Sequence, residues 1–257
     1  MSTDPIAISS AHLKMPQRWN GYACGLNNPL RNIDIDGRFS TDGHTLITAA
    51  GFTRAAVDPK SNYARSILNA NRAVDTGHYL GIVGAQLGPQ HQANHFLKAP
   101  EPENELGAYN RAMSRIHTLA DKAFSKIKSQ GLDSAAGEIG AALHTIQDSY
   151  AHTQRDSTGA IVQIDCFTCV SILGTGEHTH SDPAATDANG GLTEPANAAA
   201  DATAAFLNLI GSSSHLTEDQ FEQQYQQYVG KYFSLSKTIK SLCGVGSRSV
   251  GCRSPKE

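Results

Sequence analysis

The stretch GAALHTIQDSYAHT, residues 140–153, decides how the rest of the chain is read. It sets His144, Asp148 and His152 at successive i, i+4 spacings. The Ala-rich run with Leu143 and Ile146 predicts a helix over residues 134–152, and residues four apart on a helix share one face. A histidine, a carboxylate and a second histidine in register have the chemistry and the spacing of metal ligands. The competing reading is a plain polar face with each imidazole hydrogen-bonded or solvated. Three ligand-type residues on one stripe, in a chain with further His/Asp clusters, weigh toward metal.

Gly140, His144, Asp148 and His152 also carry a resemblance. They are similar to the core helix of the zinc-dependent phospholipase C family, related in fold to the fungal zinc nucleases that cut single strands. That helix reads G-x-x-x-H-x-x-x-D with another His shortly after; family members place the last His a little further on. The resemblance implies an all-α helical bundle with ligands pointing inward. It also implies roughly two or three zinc ions, two of them bridged by the helix Asp.

Two more segments resemble the family in the same order. GHTLITAAGFTRAAV, residues 43–57, looks like its first helix, beginning after Thr41-Asp42-Gly43, with His44 as a ligand near the start. QANHFLKAP, residues 92–100, looks like its short H-F segment, with His95 as a ligand and Phe96 packed beside the site. The family also uses an Asp upstream of that His, as ligand and candidate general base. Asp75, closing an apparent helix just ahead of Gly77, is the first candidate and Asp58 the second; a helix-terminal polar residue is the competing reading for Asp75.

The last ligand pair is expected after the core helix. GEHTHSDPAATDANGG, residues 176–191, holds Glu177, His178, His180, Asp182 and Asp187. His178 with Asp182 fits the family's spacing, with Asp in place of the more familiar Glu, and His180 with Asp182 stays open. The other reading of this segment is a solvated loop, although Pro183 and the Gly pair point to a constrained turn. The resemblance thus implies metal ligands at His44, Asp75, His95, His144, Asp148, His152, His178 and Asp182, with Asp75 and Asp148 catalytic. Of the 11 histidines, His12, His117 and His215 read as structural or exposed, and His78, His91 and His180 are in reserve.

The first forty residues have a different character. Asp4-Pro5, Pro16-Gln17, Trp19-Asn20, Tyr22 and Asn28-Pro29-Leu30, followed by Asp34-x-Asp36-Gly37, resemble the closing segment of Rhs/YD-repeat shells. In that family the segment precedes a variable C-terminal toxin, and many members self-cleave at Pro-x4-Asp-Pro-x-Gly-Leu. Pro29, Asp34 and Gly37 match; Ile35 replaces the second Pro and Arg38 the Leu. Cleavage after Arg38 would expose Phe39, whose amine is then a further candidate zinc ligand, as secreted relatives use theirs. The expected division is a leader over 1–38, a phospholipase C-like domain over 39–243 and a flexible tail over 244–257.

Composition fits one substantial globular core. A net charge of −3, with no basic patch, gives no strong nucleic-acid signal. No apolar run is long enough to span a bilayer, and the N-terminus lacks a signal-peptide pattern. Cys166 and Cys169 form one C-x-x-C, a weak zinc signal by itself; disulfides within Cys166–Cys169 or Cys243–Cys252 and free thiols fit equally well, with Cys24 in the leader. Helices are expected at 103–130, with an apolar stripe from Leu106 to Ile127 ended by Gly131, and to Ile210 after Thr193 as cap, with Pro195 beginning the helix. Phe221, Tyr225, Tyr228 and Tyr232 form a stripe that reads as core.

The function implied is a zinc phosphodiester hydrolase: a bacterial, exported effector domain acting on membrane phospholipid, with a transient membrane contact and a cognate immunity protein as partner. A zinc nuclease on single strands is the enzymatic alternative. A non-catalytic, metal-stabilised helical binding module is the alternative of another class.

Overall fold

The computed structural model describes residues 41–76, 89–99, 103–165 and 185–241. The leader, the C-terminal tail, all five cysteines, His178, His180 and Asp182 lie outside the described residues.

The described chain is mainly helical. Its elements are α1 (Thr41–Arg54), α2 (Asn62–Thr76), α3 (Pro89–Asn94), α4 (Glu105–Gln130), α5 (Ala136–Ala151), β1 (Thr153–Arg155), β2 (Ile161–Ile164), α6 (Glu194–Ser212), α7 (Glu218–Tyr232) and α8 (Lys237–Lys240). Short 3-10 turns at Leu132–Ala135 and Ser213–His215 lead into α5 and out of α6.

α5 is the central helix. From Ala142 to Ala151 every residue is buried, because α2, α4 and α6 all pack on it. Gly140 lets α2 approach: a methyl there would meet the Ile67 carbonyl oxygen, Ala70 Cβ at 2.6 Å and Asn71 N at 2.8 Å. Gly51 does the same for α1 and α6, where a methyl would lie 2.9 Å from Thr203 Cβ.

α4 buries the stripe Tyr109, Met113, Ile116, Leu119, Ala123 and Ile127, and Gly131 at φ 88° ends it, with its N–H on the Ile127 carbonyl. Asn104 caps its start by accepting from Gly107 N–H. In α7, Thr217 and Gln220 form a reciprocal capping box, and Phe221, Tyr225 and Tyr228 are buried. The Tyr109 hydroxyl donates to the Phe233 carbonyl, and Phe96 stacks on Phe233, so α4, α7 and the segment after α3 share one aromatic core.

Several boundaries differ from the sequence expectation. α1 already includes Thr41, α5 begins at Ala136 after a 3-10 turn, and His152 is the C-cap of α5 rather than part of it. α6 runs past Ile210 to Ser212. The hairpin β1–β2 was not expected at all; its strands of three and four residues are too short to show an alternating pattern. Its turn is organised by Asp156, whose Oδ1 accepts from the N–H groups of Thr158 and Ala160 and from the Thr158 hydroxyl. Among the described residues no helix is long and apolar enough to cross a membrane.

Candidate metal centre

Each ligand-type side chain is delivered by a different local device. His44 sits in the first turn of α1, and the buried face of that helix continues through Ile47, Thr48, Gly51 and Phe52. Asp75 lies in the last turn of α2, four residues beyond buried Asn71. His144 and Asp148 project from successive turns of α5, and His152 follows at its cap.

His95 comes from the turn after α3. The next residue, Phe96, adopts φ 52°, a left-handed conformation that costs an ordinary side chain about 1–2 kcal/mol. Full burial of the Phe96 ring, with Phe233 at 6.1 Å and Tyr109 at 6.2 Å, offsets that cost. The strand-like exit then bonds Lys98 N–H to the Asp165 carbonyl (2.8 Å), and Asp165 N–H to the His152 carbonyl (3.0 Å). Two main-chain bonds therefore tie the His95 turn to the end of α5.

The fold brings these side chains to one point, around Asp148. Its Oδ1 lies 3.1 Å from His44 Nε2 and 3.8 Å from His152 Nε2. Its Oδ2 lies 2.9 Å from His95 Nδ1 and 3.1 Å from His144 Nε2. His144 Nε2 also lies 3.3 Å from Asp75 Oδ1 and 3.2 Å from His95 Nδ1. The His44 and His144 rings stack at 4.3 Å, and His95 meets His144 edge-on at 4.9 Å.

Hydrogen bonds alone do not explain this arrangement. One ring nitrogen carries at most one hydrogen, yet His144 Nε2 faces three polar atoms at 3.1–3.3 Å. Zinc bonds of about 2.0–2.1 Å in a tetrahedron place neighbouring ligand atoms about 3.3 Å apart. The separations around His144 Nε2 have that size. Around Asp148, two sets of donors each fall within 4.8 Å, His44 with Asp75 and His144, and His95 with His144 and Asp148. The residues thus form buried His/Asp groupings that could hold a metal ion.

The electrostatics agree. Burial works against charge on His44, but the carboxylates of Asp148 and Asp75 outweigh it and raise its pKa from 6.5 to about 9. For Asp148 burial pushes upward, and the His144 and His44 imidazoles overcome it, holding the carboxyl well below its usual range. His144 moves down: burial disfavours its charge, the nearby His44 adds to this, and Asp148 only partly compensates. His144 Nδ1 is buried without a hydrogen-bond partner among the described residues. The side chains of His95 and Asp75, 14% and 16% exposed, form the more open side of the cluster, whereas that of Asp148 is 3% exposed.

Six residues singled out in the sequence, His44, Asp75, His95, His144, Asp148 and His152, meet here. Asp58, the second candidate for the upstream carboxylate, is elsewhere: it is exposed and its Oδ1 accepts from Lys60 N–H in a turn. Phe96 packs into the aromatic core directly behind His95. Four buried polar residues were not singled out in the sequence: Gln147, which meets His44, and Asn71, Thr48 and Thr203, which bond the Gln147 amide. His117 reads in the sequence as merely structural or exposed. That ring bridges α4 and α7, with Nε2 2.8 Å from Glu222 and Nδ1 3.4 Å from Asp121. Ligand atoms of His117, Asp121 and Glu222 also lie within 4.8 Å of one another, but these side chains are 35–52% exposed and pair with one another at the surface in a hydrogen-bonded clasp.

Comparison with family models, with curated proteins and with solved structures finds no match for this chain.

Proposed function

We propose that this chain is a zinc-dependent phosphodiester hydrolase of the phospholipase C type, acting on membrane phospholipid. The observation that carries the proposal is the placement of Asp148, one buried carboxylate with imidazole nitrogens on both of its oxygens. That is the arrangement a carboxylate needs to bridge two cations.

The cluster holds two carboxylates against four imidazoles, so it suits dications, and a site with more than one dication favours an anionic substrate such as a phosphodiester. Zinc, when bound, makes water acidic enough to act as a nucleophile near neutral pH and offsets phosphate charge. His44, Asp75, His95, His144 and Asp148 would hold the metal, with His152 beside them. Asp75, on the open side, orients the attacking water and takes its proton. Asp148 is enclosed by rings on both oxygens, which suits a ligand and leaves proton transfer to Asp75. His178 and Asp182, from a segment outside the described residues, complete the ligand set in this reading. The resemblance of the leader to an Rhs-type closing segment supports an exported effector with an immunity partner.

Elemental analysis of the purified chain, beside Asp148→Ala, is the test. Roughly two or three zinc ions per chain, fewer in the variant, and release of phosphorylated headgroup from phospholipid vesicles support the proposal. Cleavage of single-stranded DNA in place of lipid would move the assignment to a nuclease. Bound zinc without either activity would leave a metal-stabilised binding module, and no zinc uptake would end the metal reading.

A further inference from the structure

Gln147 precedes Asp148 on α5 and is fully buried. Its amide makes four contacts, to three other helices. Oε1 faces His44 Nδ1 on α1 at 2.7 Å and Asn71 Nδ2 on α2 at 3.3 Å. Nε2 donates to Thr48 Oγ1 on α1 at 2.9 Å and to Thr203 Oγ1 on α6 at 3.3 Å. Burying a primary amide costs a few kcal/mol unless its polar atoms are paired, and here both are.

The direction of the amide matters for His44. An imidazole that gives its Nε2 lone pair to a cation keeps its remaining hydrogen on Nδ1. The group opposite Nδ1 must then accept, and Gln147 Oε1 does so, while the amide nitrogen is directed to the two hydroxyls. His44 Nε2 is the nitrogen that faces Asp148. The ring is thereby held in one tautomer and one orientation by an amide that is itself held by α1, α2 and α6.

We infer that Gln147 is the positioning residue for His44: its Oε1 holds the Nδ1 hydrogen so that Nε2 is presented to a metal beside Asp148. The inference rests on the metal-site reading above. Carboxylates and main-chain carbonyls are the usual partners of a ligating histidine's second nitrogen. A neutral amide fills that role here, where a carboxylate would add a further buried charge beside Asp148.

Two variants separate the possibilities. Gln147→Met keeps length and volume and removes the accepting oxygen. Gln147→Glu keeps an acceptor, and every neighbour, namely the His44 Nδ1–H, the Asn71 amide and the two threonine hydroxyls, can donate to it. The readouts are zinc affinity by chelator competition and, in ¹⁵N-labelled zinc-loaded protein, the exchange-protected Nδ1 proton of His44, assigned by its absence in His44→Gln.

The expected result is a zinc affinity about 10–100-fold weaker in Gln147→Met, the range for loss of an outer partner, with the proton signal gone. Gln147→Glu is expected to keep the signal and bind zinc within a few-fold of wild type. Unchanged affinity and an unchanged proton in Gln147→Met would overturn the inference while leaving the metal reading standing. Should Gln147→Met not fold, Gln147→Glu decides: loss of the protected proton there overturns it. A wild-type chain that takes up no zinc overturns both.

Discussion

Gly140→Ala tests the link between helix packing and the metal centre. In a free helix this change is favourable, because Gly is about 0.8–1.0 kcal/mol worse than Ala. Here the new methyl would lie 2.6 Å from Ala70 Cβ and 2.8 Å from Asn71 N, against the roughly 3.5 Å that carbon contacts need. The atoms in the way include the backbone of α2, so relief requires the two helices to part by about 0.9 Å. Overpacking of this kind costs about 1–3 kcal/mol, so after the propensity gain the variant is left about 0–2 kcal/mol less stable. The same displacement moves Asp75 away from His144 Nε2, from 3.3 Å to about 4 Å, longer than the roughly 3.3 Å between neighbouring ligands on a tetrahedral ion. Gly137 is the control: on the same helix, with nothing within 4 Å of an added methyl, Gly137→Ala is expected to be neutral or stabilising by up to about 1 kcal/mol. Denaturant unfolding of the metal-free proteins measures the first effect and zinc titration the second. A Gly140→Ala protein as stable as Gly137→Ala, with wild-type zinc affinity, would refute the reasoning.

Asp148→Asn keeps the volume at the centre of the cluster and removes its charge; zinc affinity is expected to fall by more than about 100-fold, the upper end for an outer partner alone, with helical circular dichroism retained. Chelator competition measures it, and wild-type affinity would count against a bridging role. In metal-free protein His44 has its pKa raised from 6.5 to about 9, so its ionic stabilisation is fully present below pH 6.5 and is lost as pH rises through 9. The loss is of the order of 3 kcal/mol, and His44→Gln should be flat over that window; equal alkaline slopes for the two proteins would remove His44 as the cause. Phe96→Ala is expected to cost about 3–5 kcal/mol and to weaken zinc binding, since the ring holds the left-handed turn that presents His95. Thermal unfolding with and without zinc checks both effects, and a purely structural loss with full zinc affinity would detach His95 from the site.

The sequence by itself determined what is local. The i, i+4 spacing makes His144, Asp148 and His152 neighbours on any helix that holds all three, and the stripe from Leu106 to Ile127 has one face to bury whatever it meets. These follow from helix period alone. Which distant residues join that stripe was legible only through resemblance, because no local rule brings residue 44, 75 or 95 to residue 148. Gln147, Asn71, Thr48 and Thr203 gave no signal, since an amide or hydroxyl on a helix reads as a wet surface until packing excludes water from it. The buried face of α1 was only partly legible: beside Ile47 and Phe52 it carries Gly43, His44, Thr48 and Gly51, which do not read as core. Tertiary structure decided the rest for one physical reason. Close approach of α2 at Gly140 and of α6 at Gly51 seals the polar residues between helices, and in that low-dielectric space only mutual pairing, or a cation, offsets the cost of burying them.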